Sequence, residues 1–426
     1  MITNTNCKVK KTCRLCDSYN LKKVIDLKST PLANSFLSKN DLNKKESFYP
    51  LKVNYCSNCD HLQLSHSISE KKVFDKYLYL TDTGGQNIEH FKKYALDLSN
   101  RIKEKKKIKI LDIASNDGTF LKFFDNRKFN RLGVDPAKNL SIYARKKGIK
   151  QLTLYFNYNS SKFIKSNYGT FDLISANHVC AHIDDLSDFI HGVKNLLKID
   201  GIFSFEVSYL VDVLNKKTFD IIYHEHVDYH SLKPLVNFFK KFELEIFDFK
   251  TVEAQGGSIR IFVSHKGSRK LNKKKINDQI LLEKKKYNFF KFSTYTNFEN
   301  TIKRTKNILK KTLIKIKKQN KKIAGYGAPA KTTTLLNYFN IGNKIIDFIV
   351  DDNKLKQGRY TPGTRIPIFD SKELYTKKPD YVILLAWNYS NFIINKHKKF
   401  FKTKGRFLIP FPKIKIIKKQ SEKINI

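Results

Sequence analysis

Between Tyr223 and His230 the chain reads Tyr-His-Glu-His-Val-Asp-Tyr-His, which packs three imidazoles, two carboxylates and two phenols into eight positions. Such density is costly in a core and unneeded on a surface, so it marks a site. An imidazole backed by a carboxylate is a competent general base near neutral pH. The His-Glu-x-x-His pair of zinc proteases is absent, because Asp228 stands where the second histidine would be. A further histidine, His182 in Ala181-His182-Ile183-Asp184, follows the apolar run Phe171 to Ala176 and falls at the sheet edge where substrates sit.

Four of the six cysteines form two pairs, Cys13-x-x-Cys16 and Cys56-x-x-Cys59, separated by 39 residues. Each such turn lets two thiolates reach one tetrahedral ion, so the four define a closed structural zinc site with no open position for catalysis. The spacer exceeds the ~15–20 residues of a compact ribbon, so a small subdomain must fold between the pairs. Redox chemistry would need one such motif opening a helix, not two matched ones. Cys7 and Cys180 read as ordinary thiols, with His61 and His66 as reserve ligands only.

The run Ile108 to Ala114, which contains Asp112, has a buried-strand pattern and leads into Ser115-Asn116-Asp117-Gly118-Thr119 and a helix from Phe120. A strand, a tight glycine turn and a helix start make a nucleotide-type site. The next strand ends in Gly133-Val134-Asp135, an acid placed about twenty residues on to meet ribose hydroxyls. No Gly-x-Gly-x-x-Gly occurs at this turn, and Asp112 and Asp117 would repel a phosphate. They suit the sulfonium and ammonium of S-adenosylmethionine. A second turn, Gly325-Tyr326-Gly327-Ala328-Pro329-Ala330, fits Gly-x-Gly-x-x-Ala after a strand, with Lys331 following and Asp351 and Asp352 ending the next strand. It reads as a phosphate site at a helix start, or as glycines serving only close strand–helix packing.

The elements that must hold these residues alternate strand and helix. Ile108 to Ala114, Arg131 to Val134, Phe171 to Ala176 and Gly201 to Val207 are strand-like, with amphipathic stretches between, which is the pattern of a parallel sheet with crossover helices. Residues 268–320 are Lys-rich and apolar at helical spacing, and predict one or two long helices. Alternation restarts at Ile323 to Tyr326, followed by Lys331 to Phe339, Ile345 to Val350 and Tyr381 to Ala386. The fold class is therefore α/β with two doubly wound units, divided into a zinc-binding domain (1–75), a first doubly wound domain (76–267), a helical linker (268–320) and a second, Rossmann-like domain (321–426).

At 426 residues the chain exceeds one ordinary core. The formal charge of +43 would fit a nucleic-acid binder, but the lysines are spread along the whole chain rather than gathered on one face or tail. The densest run, Lys303 to Lys322, has helical spacing and reads as a solvated face. No apolar stretch approaches the ~18 residues of a membrane span, and the polar start, Met1 to Lys11, does not read as a secretory signal. Neither nucleic acid nor membrane is expected as a partner, and the expected location is cytoplasmic.

Together these pieces resemble the sugar C-methyltransferases of deoxysugar biosynthesis. The match takes in the cysteine pairs, Lys76-Tyr77-Leu78-Tyr79, Ile113 to Thr119, Ala181-His182-Ile183 and Tyr223-His224-Glu225-His226. It continues through Gly256-Gly257-Ser258-Ile259-Arg260, Gly325 to Lys331, and Lys356-Gln357-Gly358 to Pro362-Gly363. Gln255 departs from the histidine often found there, and Ala114 replaces a common glycine.

The resemblance implies methyl transfer from S-adenosylmethionine to a carbon of a nucleotide-linked, dTDP-type 4-keto-deoxysugar, most often C-3, by a monomer. His226, polarised by Glu225, would remove the acidified proton, while His182, Tyr223 and Tyr77 face the enolate oxygen. Asp112, Ala114, Ser115, Asn116, Asp117, Gly118, Asp135 and Asn177 would hold the cofactor. Tyr79, His224, Arg260, Tyr326, Lys331, Asp352, Lys356, Arg365 and Trp387 would hold the substrate. The rivals are a nicotinamide-dependent oxidoreductase using the Gly325 turn and a zinc-containing nucleic-acid methyltransferase. The first leaves the Tyr-His-Glu-His cluster unexplained, and the second lacks an Asn/Asp-Pro-Pro-aromatic tetrapeptide.

Overall fold

The computed structural model describes residues 7–74, 81, 85–102 and 106–419. Their contacts gather into two compact units, each built from three chain segments. The first takes the chain through Lys22, Asn54–Val211 and Val227–Phe292; the second takes Lys23–Val53, Asp212–His226 and everything from Ser293.

In the first unit a seven-stranded sheet runs Leu244–Val252, Ser258–His265, Leu197–Ser208, Phe171–Asn177, Ile108–Ile113, Phe129–Val134, Lys150–Leu152. The five strands from Leu197–Ser208 onward are mutually parallel, and the other two join antiparallel. The parallel strands are apolar on both faces because crossover helices cover them. Strand order reverses at Ile108–Ile113, which lies between Phe171–Asn177 and Phe129–Val134, and a ligand crevice opens at the strand carboxyl ends at such a point. Register there sets Asp112 beside Gly133 on one side and Ser175 on the other. Phe120, Leu121 and Phe124, buried against Tyr94, Ile110 and Phe129, anchor the turn that follows. The helix expected from Phe120 is a single turn, Thr119–Lys122.

The Lys-rich stretch 268–320 forms two helices, Lys273–Lys285 and Phe292–Lys318. The break falls where Asn288 takes φ +52° and Phe289 turns fully inward. Buried Glu283, on the first of these helices, accepts from the amide of Leu232 (2.7 Å), the amide of Lys233 (3.3 Å) and the Tyr209 hydroxyl (2.8 Å). It thereby caps the helix Leu232–Lys240, whose first amides have no partner of their own.

The second unit holds a six-stranded sheet in the order Ile368–Phe369, Phe348–Val350, Ile323–Tyr326, Tyr381–Leu384, Arg406–Ile409, Lys415–Ile417, parallel except for the last strand. The strand expected over Ile345 to Val350 begins only at Phe348, because the amides of Ile345 and Ile346 both turn back to the Gly342 carbonyl. Two glycines of the Gly325 turn are explained by closeness. A Cβ on Gly325 would lie 2.8 Å from Leu385 Cδ1, and one on Gly327 would lie 2.6 Å from Ala386 Cβ.

Candidate functional site

The four cysteine sulfurs of the first unit lie within 4.8 Å of one another. Cys13 to Cys59 and Cys16 to Cys56 are both 3.6 Å apart. A tetrahedral ion with metal–sulfur bonds of ~2.3 Å separates its sulfurs by about 3.8 Å, so the donor set and spacing fit zinc. Asp17 (φ +62°) and Asp60 (φ +68°) close the two turns, each amide reaching back to the first cysteine's carbonyl at 2.9 Å. The Cys59 thiol is pushed up, first by donating to Cys13 and then by burial, and burial pushes Cys56 up to about 11. Four crowded thiolates therefore need a cation, which would ionise them together. The reserve ligands are otherwise engaged: His61 Nε2 meets Asp228 at 2.7 Å, and His66 Nδ1 meets the Ser65 hydroxyl at 2.8 Å.

At the sheet's carboxyl edge, Ser115 to Gly118 folds over Gly133, where any Cβ would sit 2.4 Å from the Ser115 hydroxyl. Ala114 (φ +54°), Asn116 (φ +51°) and Gly118 (φ +74°) all lie in the left-handed region. Asp135, expected to meet ribose hydroxyls, holds the loop with one oxygen on the Asn116 amide and the other on the Ala137 amide, both at 2.9 Å. Each oxygen keeps a second lone pair for a ligand. Asp117 is paired with Lys147 at 2.8 Å, and Gln151 donates to the Ser115 hydroxyl and the Asn116 carbonyl.

Among the described residues no cation pairs with Asp112. Its carboxylate is 2% exposed, with the Ser175 hydroxyl at 2.6 Å and Asn177 Nδ2 at 3.5 Å, and burial pushes it up to about 7. Asn177 Oδ1 is buried without a hydrogen-bond partner among the described residues. Burial likewise raises Asp135. An acid-lined pocket edge with an orphaned acceptor fits a ligand that brings positive charge and donors, as S-adenosylmethionine does, and does not fit a pyrophosphate.

His182, which follows Ala181 at this edge, is driven down to about 3 by burial and so stays a neutral imidazole. Beside it, the amides of Val227 and Asp228 both reach the Ala181 carbonyl, at 2.7 and 3.3 Å. Arg260 lies in the interior of the unit. Its guanidinium grips Glu206 at 2.9 and 3.1 Å and covers the Tyr94 ring at 3.4 Å. His90 and His178 also meet Glu206, so Arg260 is committed to a buried ion cluster instead of facing a substrate as the motif implied.

In the second unit, the His226 ring is oriented by Nδ1 on the Ile221 carbonyl at 2.8 Å and by Nε2 against the Tyr223 hydroxyl at 2.7 Å. A carbonyl only accepts, so Nδ1 carries the proton and Nε2 presents a lone pair, which receives the Tyr223 hydroxyl proton. The expected polarisation of His226 by Glu225 is corrected here. Successive side chains diverge, and both Glu225 oxygens take Asn34 Nδ2, at 2.9 and 2.8 Å. Burial lifts Glu225 to about 7 against the pull of Asn34 and Lys356. His224 is a core residue whose Nε2 donates to the Tyr49 carbonyl at 3.1 Å.

The remaining substrate candidates fall into separate groups. Tyr326 donates to Asp352 at 2.8 Å and meets His397 at 2.9 Å, with Lys396 on Asp352 at 2.8 Å. Lys331 donates to Asn388 at 2.7 Å and stands 4.2 Å from the Trp387 ring centre, while Trp387 donates to Asp220 at 2.8 Å. Arg365 turns to Glu46 and the Lys44 carbonyl. The phosphate expected on the Gly325 turn meets a resident competitor. The Asp351 carboxylate accepts the Ala328 amide at 2.6 Å, and Lys356 Nζ donates to the Ala328 carbonyl at 2.8 Å. A carboxylate already on the turn repels a second anion, so close packing explains these glycines and phosphate does not. Tyr77 and Tyr79 lie outside the described residues. Asn34, Asp220, Ile221, Lys147 and Gln151 were not singled out from the sequence.

Three protein families match the chain: "Putative zinc binding domain" over residues 13–74, "Methyltransferase domain" over 87–248 and "C-methyltransferase C-terminal domain" over 253–412. The C-methyltransferase NovU of Streptomyces niveus is 32% identical over 409 residues, covering 96% of this chain and 97% of its own. The chain belongs to the C-methyltransferase family. This C-methyltransferase takes its methyl group from S-adenosylmethionine. Membership displaces both rivals, the oxidoreductase and the methyltransferase of base nitrogens. Among solved structures, an S-adenosylmethionine-dependent methyltransferase of Clostridium acetobutylicum is 19% identical, covering 42% of this chain and 92% of its own, with a TM-score of 0.33. The PH0226 protein of Pyrococcus horikoshii is 18% identical, covering 46% and 98%, also at 0.33. No helix among the described residues is long and apolar enough to cross a membrane.

Proposed function

We propose that this enzyme methylates the carbon next to the 4-keto group of a nucleotide-linked deoxysugar, at C-3 of a dTDP-sugar, acting as a cytoplasmic monomer. The observation that carries the reading is the setting of the His226 ring, with Nδ1 on the Ile221 carbonyl and Nε2 against the Tyr223 hydroxyl. The keto group acidifies the neighbouring C–H. As Nε2 takes that proton, the Tyr223 hydroxyl turns its own proton toward the developing enolate oxygen, and the Ile221 carbonyl stabilises the imidazolium. His182, neutral across the working pH range, and Tyr77 donate to the same oxygen. When bound, S-adenosylmethionine would supply the methyl group to the enolate carbon and would leave as S-adenosylhomocysteine. Asp112, Ala114 to Gly118, Asp135 and Asn177 align the donor and exclude water. Tyr326, Asp352, Lys356 and Arg365 are assigned to the nucleotide sugar, and Tyr79 to the sugar ring. The division into domains 1–75, 76–267, 268–320 and 321–426 belongs to the same reading.

The test is proton exchange without methyl transfer. Enzyme, S-adenosylhomocysteine and a dTDP-4-keto-6-deoxysugar in deuterated water should place deuterium at C-3, and His226→Ala should stop it. Deuterium appearing at the same rate with His226→Ala would remove the base. Failure of every nucleoside diphosphate to raise the melting temperature, with S-adenosylhomocysteine raising it, would remove the nucleotide-sugar substrate.

A further inference from the structure

The short turn Phe219–Ile221 carries the carbonyl that holds His226, and the second unit fastens it from several sides. Phe219, fully buried, stacks on Phe339 with centroids 5.0 Å apart and meets Phe411 edge-on at 5.7 Å. The Ile222 carbonyl accepts from the Thr334 hydroxyl at 2.8 Å. Between them, Asp220 is 1% exposed; its Oδ2 accepts the Trp387 indole N–H at 2.8 Å, and among the described residues no other side chain donates to the carboxylate. The Lys331 ammonium, on the Trp387 face, faces this carboxylate from the helix Ala330–Phe339.

A fully buried carboxylate whose one side-chain donor is an indole, helped only by the main-chain amides of residues 220 and 221, is expensive to keep, and an apolar side chain would pack there at no such cost. What the carboxylate adds is direction: the indole N–H pins residue 220, the Thr334 hydroxyl pins residue 222, and the carbonyl of residue 221 is left with one orientation.

We propose that Asp220 and Trp387, with Lys331 balancing the charge, are positioning residues that aim the Ile221 carbonyl at His226 Nδ1 and so keep the catalytic Nε2 unprotonated. This rests on His226 being the base. It takes Trp387 and Lys331 out of the set that touches substrate. With the turn loosened, the imidazole is free to flip its tautomer, and an Nε2–H cannot accept a proton from carbon.

Trp387→Phe removes the N–H and keeps a ring. The expected result is a fall of about 10–100-fold in both C–H exchange and kcat for methyl transfer, a displaced kcat–pH profile, and a KM for the sugar nucleotide within about twofold of wild type. Asp220→Ala should behave alike, while Asp220→Asn, whose amide oxygen still accepts the indole proton, should restore most of the rate. The restoration, read with unchanged circular dichroism, separates positioning from folding. A Trp387→Phe enzyme with wild-type kcat, or one with raised KM and unchanged kcat, overturns the proposal. If Trp387→Phe does not fold, equal rates for Asp220→Asn and Asp220→Ala overturn it instead. His226→Ala, run alongside, keeps the failures apart: exchange persisting there defeats the base itself, whatever the other variants do.

Discussion

Replacing Asp112 by asparagine should make the ligand-free enzyme more stable above neutral pH while weakening its hold on cofactor. The carboxylate is 2% exposed and its pKa stands near 7, against 3.8 for a free side chain, with burial as the first cause. Below about pH 4 both folded and unfolded chains hold the proton and burial carries no charge penalty. From about pH 4 to about pH 7 the unfolded chain ionises and the folded one does not, so stability falls; above that the loss is constant. A shift of about three units, at 1.36 kcal/mol each, sets that loss at about 4 kcal/mol. The amide cannot ionise and still accepts the Ser175 hydroxyl, so the variant escapes it. At about 2–4 °C per kcal/mol for a unit of this size, its unfolding midpoint at pH 8 should exceed the wild type's by roughly 8–16 °C. Calorimetric scans at pH 4, 6 and 8, with and without S-adenosylhomocysteine, measure this directly. Saturating ligand at about 100 times its dissociation constant adds about 2.7 kcal/mol to the wild type, and at the same concentration should add far less to the variant. If the two proteins lose stability in parallel between pH 4 and pH 8, Asp112 is not a buried ionising group. If both gain equally from S-adenosylhomocysteine, it is not at the cofactor site.

Chelation or Cys56→Ser should release about one zinc per chain and lower the melting temperature of the first unit, measured by metal analysis and calorimetry together. Ala114→Gly should stabilise the enzyme by about 0.5–1 kcal/mol in urea titrations, since a Cβ at φ +54° is strained where glycine is not. Glu283→Ala should cost about 2–4 kcal/mol in the same titrations, because the amides of Leu232 and Lys233 and the Tyr209 hydroxyl all lose their acceptor in a dry interior.

The parts legible in the sequence were those whose signal is local. Four cysteines at knuckle spacing declare themselves, as do apolar runs such as Ile108 to Ile113 and Ile323 to Tyr326, whose alternation with helices dictates doubly wound sheets. The partners of the site residues were not legible. Glu225 meets Asn34, 191 residues away, and Trp387 meets Asp220, 167 residues away. No periodicity encodes such pairings. The group that orients His226 is a main-chain carbonyl, which leaves no mark in side-chain identity. Arg260 looked like a ligand contact because it ends a glycine motif, yet strand register sets it opposite Glu206, where the two charges cancel.

The interleaving of the two units bears on how this protein can be made and cut. The chain passes between them at residues 22/23, 53/54, 211/212, 226/227 and 292/293. A ribosome that has released the first three hundred residues has emitted all of the first unit, but Lys23–Val53 and Asp212–His226 have only each other to bond with until the last sheet emerges. Expressing residues 321–426 by themselves would yield a Rossmann-like sheet stripped of the two inserted segments that pack on it. One protease nick between the lobes would free neither. An engineer wishing to exchange the second unit between relatives must therefore move three stretches of gene together, not a carboxy-terminal cassette.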